Sequence, residues 1–323
     1  MLLYTILIFI FMVVNAVGNL FVKGSVGSDI GISRSNNEDN YYLNGKKAEF
    51  YEFYEQTSSA FQPPVSSGVF AVFDGMGGQS RGEFASSLSA TKLDEYSKNI
   101  IRNGNTYVNE YIADTNNLIC EEINKTGKRI GTTVAILTIN DGIAQSFNLG
   151  DSSVYYLSKN KITKISSDHT VAEQMYRMNV LTAEEAQNDI RKHRLTKHLG
   201  MFEKEGDLRP YVSNNIRVSN GDMFILCTDG VTNALGEKEL KKIAYTFDGR
   251  CKKTVNAIIE QAIENGSDDN ITVMVLRIVN STNSSTFKRR FSRHPHLYPF
   301  FLGLSVSAFI FAIIIFIILS KFI

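Results

Sequence analysis

The chain has 323 residues and a formal charge of +1 at neutral pH, room for one large domain or two small ones. Lys and Arg number 34 against 33 Asp and Glu, and without a basic excess nucleic acid is not the expected partner. Three cysteines, Cys120, Cys227 and Cys251, are odd in number and lack metal-ligand spacing. They read as small apolar residues in a reducing compartment, not as a disulfide or zinc framework.

Both ends are apolar. Residues 1–22 carry no charge and form a hydrophobic segment, either a membrane helix or a signal-like run; the positive segment that opens a secretory signal is missing. Residues 298–323 read as a transmembrane helix, because the run from Phe300 to Leu319 is long enough to span a bilayer, which takes about 20 residues. A polar and basic linker, 281–297, precedes it and contains Lys288, Arg289, Arg290 and Arg293. Basic residues beside a spanning helix mark the cytoplasmic side, so residues 23–280 are expected to be a cytoplasmic domain tethered to the membrane.

Within that domain, Ser25 to Ile32 reads as a strand, and Tyr41 to Leu43 resumes extended structure. Residues 46–67, broken by Pro63-Pro64, read as a loop or hairpin excursion. The run from Gly68 to Phe73 reads as a buried strand. A helix with Phe84, Ala85, Leu88, Leu93 and Ile100 on one side follows, with Ser80 as its expected cap. A second helix carries Val108, Ile112, Thr115, Ile119 and Ile123 at helical spacing, and Gly127 ends it. Strands are expected over 130–139, 142–149, 154–157 and 161–165, with Asp141-Gly142 as a hairpin turn. Residues 166–169 are expected to cap a short helix, and Thr182 with Glu185 forms a capping box for another. A strand over 222–228, helices over 237–247 and 252–264, and a strand over 271–279 complete the order. Successive strands joined by short turns favour antiparallel sheets with helices packed outside, an α+β class.

Four acidic turns stand at the ends of apolar strands: Arg34-x-x-Asn37-Glu38-Asp39, Asp74-Gly75-Met76-Gly77-Gly78, Asp229-Gly230 and Asp268-Asp269-Asn270. A carboxylate beside a buried strand is costly unless it is paired or binds a cation, and four together predict one oxygen-lined cation site. With Gly131-Thr132-Thr133, Gly150-Asp151-Ser152, Asp168-His169 and the stretch from Leu195 to Gly200, these motifs form an ordered set. In it the chain resembles the metal-dependent protein phosphatases (the PPM class, protein phosphatase type 2C) from about Gly24 to Val279, in a bacterial style.

The resemblance implies a four-layer αββα sandwich and hydrolysis of phosphoserine and phosphothreonine in proteins through a metal-bound water. It implies two divalent cations, manganese or magnesium, which favour oxygen ligands. Asp74 would bridge both cations, and the Gly75 carbonyl would bind one of them. Asp229 and Asp269 would complete the first, with Asp39 near it, and Glu38 would reach the other through water. Arg34 would grip the substrate phosphate, for which its planar fork is suited. His169 reads as structural. The partners implied are phosphorylated proteins and an opposing serine/threonine kinase.

The chain departs from the family pattern at three places. Relatives that bind a third metal use the aspartate matching Asp151 and an acid where this chain has Asn233, so a third site should be weak or absent. Ser153 stands where the family usually has arginine, and Met76 where animal members have histidine. A catalytically weak scaffold of the same fold is the alternative reading.

Overall fold

The computed structural model describes residues 20–48, 57–77, 81–248 and 250–280. The chain divides into Leu20–Val279 and a second unit of Met1–Asn19 with Asn280–Ile323; the fold is that of the first. The membrane helix expected over 298–323 and most of the segment 1–22 lie outside the described residues. Among the described residues no helix is long and apolar enough to cross a membrane.

Two six-stranded sheets form the centre. One contains β1 (Leu20–Asp29), β3 (Thr57–Val65), β9 (Ser153–Ser158), β10 (Lys161–Lys164), β13 (Met223–Cys227) and β14 (Ile271–Asn280), in the order β10-β9-β13-β14-β1-β3. The other contains β2 (Asn40–Leu43), β4 (Gly68–Phe73), β7 (Val134–Asn140), β8 (Ile143–Leu149), β11 (Tyr211–Val212) and β12 (Ile216–Arg217). Its order is β11-β8-β7-β4-β2, with β12 also on β8. The pairings β2–β4, β4–β7, β7–β8 and β9–β13–β14 are antiparallel. A two-residue pair, β5 (Gly75–Met76) with β6 (Gly131–Thr132), lies apart.

The apolar runs are explained by what covers each face. In β4, Val69, Ala71 and Phe73 pack beneath two long helices, while Phe70 and Val72 face the other sheet. In β13, Phe224 and Leu226 join that inter-sheet core, and Met223, Ile225 and Cys227 face the opposite helices. Side chains alternate across a strand, so a strand covered on both faces must be apolar at every position. Each such residue contributes roughly 1.5–3 kcal/mol by leaving water. The helices over the first sheet face are α1 (Gly82–Arg102) and α2 (Gly104–Thr126). In α2, Val108, Ile112, Thr115, Ile119 and Ile123 are all buried, and Gly127 closes the helix with φ 69° and a 2.8 Å bond to the Ile123 carbonyl. On the far side lie α6 (Glu237–Thr246) and α7 (Cys251–Glu264). Between them in sequence come α3 (Val171–Arg177), α4 (Ala183–Asn188) and the single turn α5 (Asp229–Thr232). The layers are therefore helix, sheet, sheet, helix.

Several local expectations hold. Asp141 and Gly142 both take positive φ in the β7–β8 turn, and the Thr182–Glu185 capping box closes in both directions. Others shift. β1 begins at Leu20, so the last three residues of the apolar segment 1–22 lie in a sheet, with Val22 buried. The cap of α3 is Thr170, whose hydroxyl accepts from the Glu173 N–H at 3.2 Å, not a residue of 166–169. Part of the excursion read over 46–67 is strand β3, at the sheet edge against β1. The pairing register shifts between Val22, opposite Val65, and Gly24, opposite Gln62, so Pro63 and Pro64 fall in an irregular stretch of an edge strand, where proline is tolerated. Ser80, the cap expected for α1, lies outside the described residues; the N-cap position is Arg81, with φ 76°.

Candidate metal centre

The site is assembled at one end of the sandwich, where strands of both sheets stop. Asp39 immediately precedes β2, Asp74 immediately follows β4, Asp229 lies two residues after β13, and Asp269 lies two residues before β14. Asp151 lies two residues after β8. The antiparallel pairings β2–β4 and β13–β14 put these turns side by side within each sheet, and face-to-face packing brings the two pairs together.

Burial and mutual repulsion govern the electrostatics. Burial and then Asp229, Asp39 and Asp151 drive the Asp74 carboxyl well above the carboxylate range. Asp39 is pushed up to about 8 by burial, with Asp269 and Asp229 adding and hydrogen bonds from Thr272 and Thr228 opposing. Glu38 rises to about 7 through burial and then Glu83. Asp229 is raised by burial and Asp269, and Asp151 by burial, Asp229 and Asp168. Like charges gathered in a low-dielectric site cannot all ionise without a counter-charge.

The hydrogen bonds leave acceptors unused. Asn233 donates to Asp229 Oδ2 at 3.1 Å, whereas Asp229 Oδ1 is buried with no donor. The Asp74 carboxyl does reach Asp229, but two carboxyls can bond only by holding a proton between them. A buried acceptor without a donor is costly, and this one fits a cation. Among the described residues no three acidic, histidine or cysteine side chains close on one point as a full set for a single ion. Magnesium usually keeps several waters and takes one or two carboxylates, so acids that do not close on one point can still hold a hydrated ion. Gly75 is held tightly. A Cβ there would overlap the carbonyl oxygens of Glu38 and Gly82, so the backbone approach at this turn needs glycine.

A family model described as protein phosphatase 2C matches residues 58–265. The chain belongs to the protein phosphatase 2C family. Its enzyme class is protein serine/threonine phosphatase. Among curated relatives, the serine/threonine phosphatase stp of Listeria welshimeri is 26% identical over 231 residues, covering 69% of this chain and 89% of that protein. The protein phosphatase PhpP of Streptococcus pneumoniae is 26% identical over 259 residues, covering 78% and 96%. Among solved structures, the Mycobacterium tuberculosis phosphatase PstP superposes with a TM-score of 0.67 at 22% identity, covering 80% of this chain and all of that one. A second structure of the PstP catalytic domain, in complex with two manganese ions, gives a TM-score of 0.64 at 22% identity, covering 81% and 100%.

Against the family pattern, the remaining residues fall as follows. Arg34 lies at the site but is engaged: its guanidinium donates to Asp269 Oδ2 at 2.7 Å and to the Asp268 carbonyl at 3.4 Å. Glu38 accepts from the Gly82 N–H at the start of α1 at 3.3 Å. Asp151 faces Asp168, which is paired with Lys164 at 2.7 Å and keeps Oδ1 buried without a donor. His169 is structural, as the sequence suggests: its Nδ1 accepts from the Gly150 N–H at 3.2 Å, and burial lowers its pKa to about 4.

Sequence reasoning missed the residues that hold the acids in place. Thr228 donates to Asp39 Oδ2 at 2.8 Å and accepts the Thr272 N–H at 3.1 Å; Thr272 in turn bonds Ser28, and Ser28 accepts from Asn37. Asn270 accepts the Glu38 N–H and donates to the Ile30 and Asn36 carbonyls, pinning the 30–38 loop to β14. Thr133 accepts the Asp74 N–H at 3.0 Å. Thr228 and Asn270 adjoin Asp229 and Asp269 in sequence, but Thr133 is 59 positions from Asp74 and only the fold brings the two together.

Proposed function

We propose that this chain is a membrane-tethered protein serine/threonine phosphatase that uses two divalent cations, manganese or magnesium, and opposes a serine/threonine kinase at the cytoplasmic face. The observation that carries the cation reading is the set of acids from both sheets, Asp39 buried and Asp74 and Asp229 half-buried, that raise one another's pKa, with Asp229 Oδ1 left without a donor. Asp74 would bridge the two cations and the Gly75 carbonyl would bind one of them; Asp229 and Asp269 would complete the first, with Asp39 near it, and Glu38 would reach the other through water. The tether rests on the apolar run 300–319 and the basic residues 288–293 before it.

When bound, two divalent cations supply positive charge for the phosphate and make hydroxide accessible near neutral pH. The chain's own residues do the rest. Asp39 is oriented by Thr228, and Asp74 is held at the end of β4 by Thr133. Arg34 is paired with Asp269. Once Asp269 is neutralised by another partner, the guanidinium can turn its fork to two phosphate oxygens.

The test is hydrolysis of a phosphothreonine peptide by the full chain, with EDTA, magnesium or manganese, beside Asp74→Asn. The expected result is activity that needs a divalent cation and vanishes in the variant. A folded, cation-binding chain without activity would support the scaffold reading instead.

A further inference from the structure

The two ends of the sandwich carry opposite charge. At the end opposite the acids, the chain enters the domain at Leu20 and leaves it after β14. Two contacts fix this arrangement. Gly31, just past the end of β1, lies against the Asp269 backbone beside the acids, and Gly24, near its start, lies against Val275 and Leu276. Both β1 and β14 have ten residues, so this end lies about 30 Å from the acids at ~3.3 Å per residue.

Basic residues collect there from elements far apart in sequence. Arg250, Lys252 and Lys253 flank Cys251, whose thiol lies 3.7 Å from the Lys23 carbonyl at the start of β1. Lys159 stands in the β9–β10 turn, beside the start of β13, and the next residue's N–H bonds the Tyr245 hydroxyl of α6. Arg217 pairs with Ile143 next to the Asp141-Gly142 turn, and Gly142 borders Leu20. Arg250, Lys252, Lys253, Lys159 and Arg217 are all exposed. None of the five is in an ion pair among the described residues. Of the acids at this end, Asp222 is buried on Tyr156, Ser158 and the Ser219 N–H, Asp248 pairs with Arg277, and Asp141 is exposed in the β7–β8 turn, so the basic residues outnumber the acids left open.

We propose that this basic end docks on an anionic lipid surface, with the acidic site held away from it. The proposal rests on the membrane tether proposed above and adds an orientation. Residues 1–19 and 281–323, with their apolar runs and the basic stretch 288–293, continue from this end. Polybasic surfaces beside a membrane anchor are attracted to anionic headgroups within a Debye length. The opposite orientation would press the acids against the same negative surface. At about 30 Å the acids lie beyond a Debye length of about 8 Å, so docking leaves them open to a soluble substrate.

The test is hydrogen exchange of the full chain in nanodiscs of phosphatidylcholine alone and of phosphatidylcholine with phosphatidylglycerol, together with flotation on vesicles of the same two compositions. The expected result is slowed exchange around residues 157–162 and 250–254 in the anionic discs only. It should be lost at high salt and in Arg250→Glu/Lys252→Glu/Lys253→Glu. Hydrolysis of a soluble phosphopeptide by that variant should be unchanged, which also reports that it is folded. Acids at the start of α7 suit the helix dipole.

Flotation on both vesicle types with no lipid-dependent protection overturns the docking and leaves the tether standing. Salt-sensitive flotation on anionic vesicles alone, with protection, supports the docking and removes the tether. No flotation on either overturns both.

Discussion

Two groups of acids lie next to each other at the catalytic end, and they are balanced differently. Asp39, Asp74, Asp229 and Asp269 meet with Arg34 as their only ion-paired basic partner among the described residues, and that pair is on Asp269. Asp151 and Asp168 lie beside them, but Lys164 pairs with Asp168 and lowers Asp151, and the neutral Asn233 occupies the nearby position on Asp229. The first group needs charge from outside the chain; the second carries part of its own. The difference lies in what each acid has as a neighbour.

The largest expected effect comes from breaking the first group at its centre. Asp74→Asn should lower turnover of a phosphothreonine peptide on the order of a hundred- to a thousandfold or more, as removal of a central electrostatic group does. Asp151→Asn should cost far less, and steady-state kinetics of the pair measures the contrast. If both fall equally, the two groups act as one.

Next in size is the pH dependence of stability. Asp39 sits at about 8 in the folded chain against an ordinary 3.8, and Asp74 is also raised. A raised carboxyl favours the folded state while protonated, so its contribution is complete below about pH 4 and is lost as pH rises through about 8. In EDTA the melting temperature should therefore fall between about pH 5 and about pH 8. Saturating manganese should reverse the trend and add about 2.7 kcal/mol at a hundred times its dissociation constant. A flat thermal profile in EDTA would mean that the acids are not crowded as described.

Smaller effects sharpen the comparison. Thr228→Val removes the donor to Asp39 and the acceptor for the Thr272 N–H, and should cost about 1–3 kcal/mol in denaturant melts. It should also weaken manganese binding, because Asp39 loses a bond that favours its charged form. Asn233→Asp gives the second group another carboxylate, and ligand charge tunes the affinity of hard-cation sites. Calorimetry should then detect an extra, weak cation, with activity changing by less than about tenfold.

The sequence made the architecture legible because burial writes itself into strands covered on both faces. Gly68 to Phe73 and Met223 to Cys227 have no polar position to misread, and an aspartate directly beyond such a run is conspicuous. Asp39 and Asp269 were legible for the same reason. Hydroxyl support was not. Thr228 and Thr272 look like ordinary strand residues, and their value comes from contacts that no local pattern encodes: Thr228 with Asp39 at the other sheet, and Thr272 with Ser28 on the neighbouring strand of its own sheet. The engagement of Arg34 with Asp269 was equally hidden, since the two are 235 positions apart. Residues 46–67 read only as a loop or hairpin excursion, because two prolines argue against a regular strand and the register shift that accommodates them against β1 leaves no mark in the sequence.

Manganese binding to the full chain, followed by calorimetry at pH 7 in two buffers of different ionisation enthalpy, tests the account most directly. Asp39 at about 8 and Glu38 at about 7 hold protons in the cation-free protein, and cation ligands must give theirs up. The account expects binding with release of about one proton or more per chain, lost in Asp74→Asn. Tight binding without proton release, or no binding at all, would contradict it.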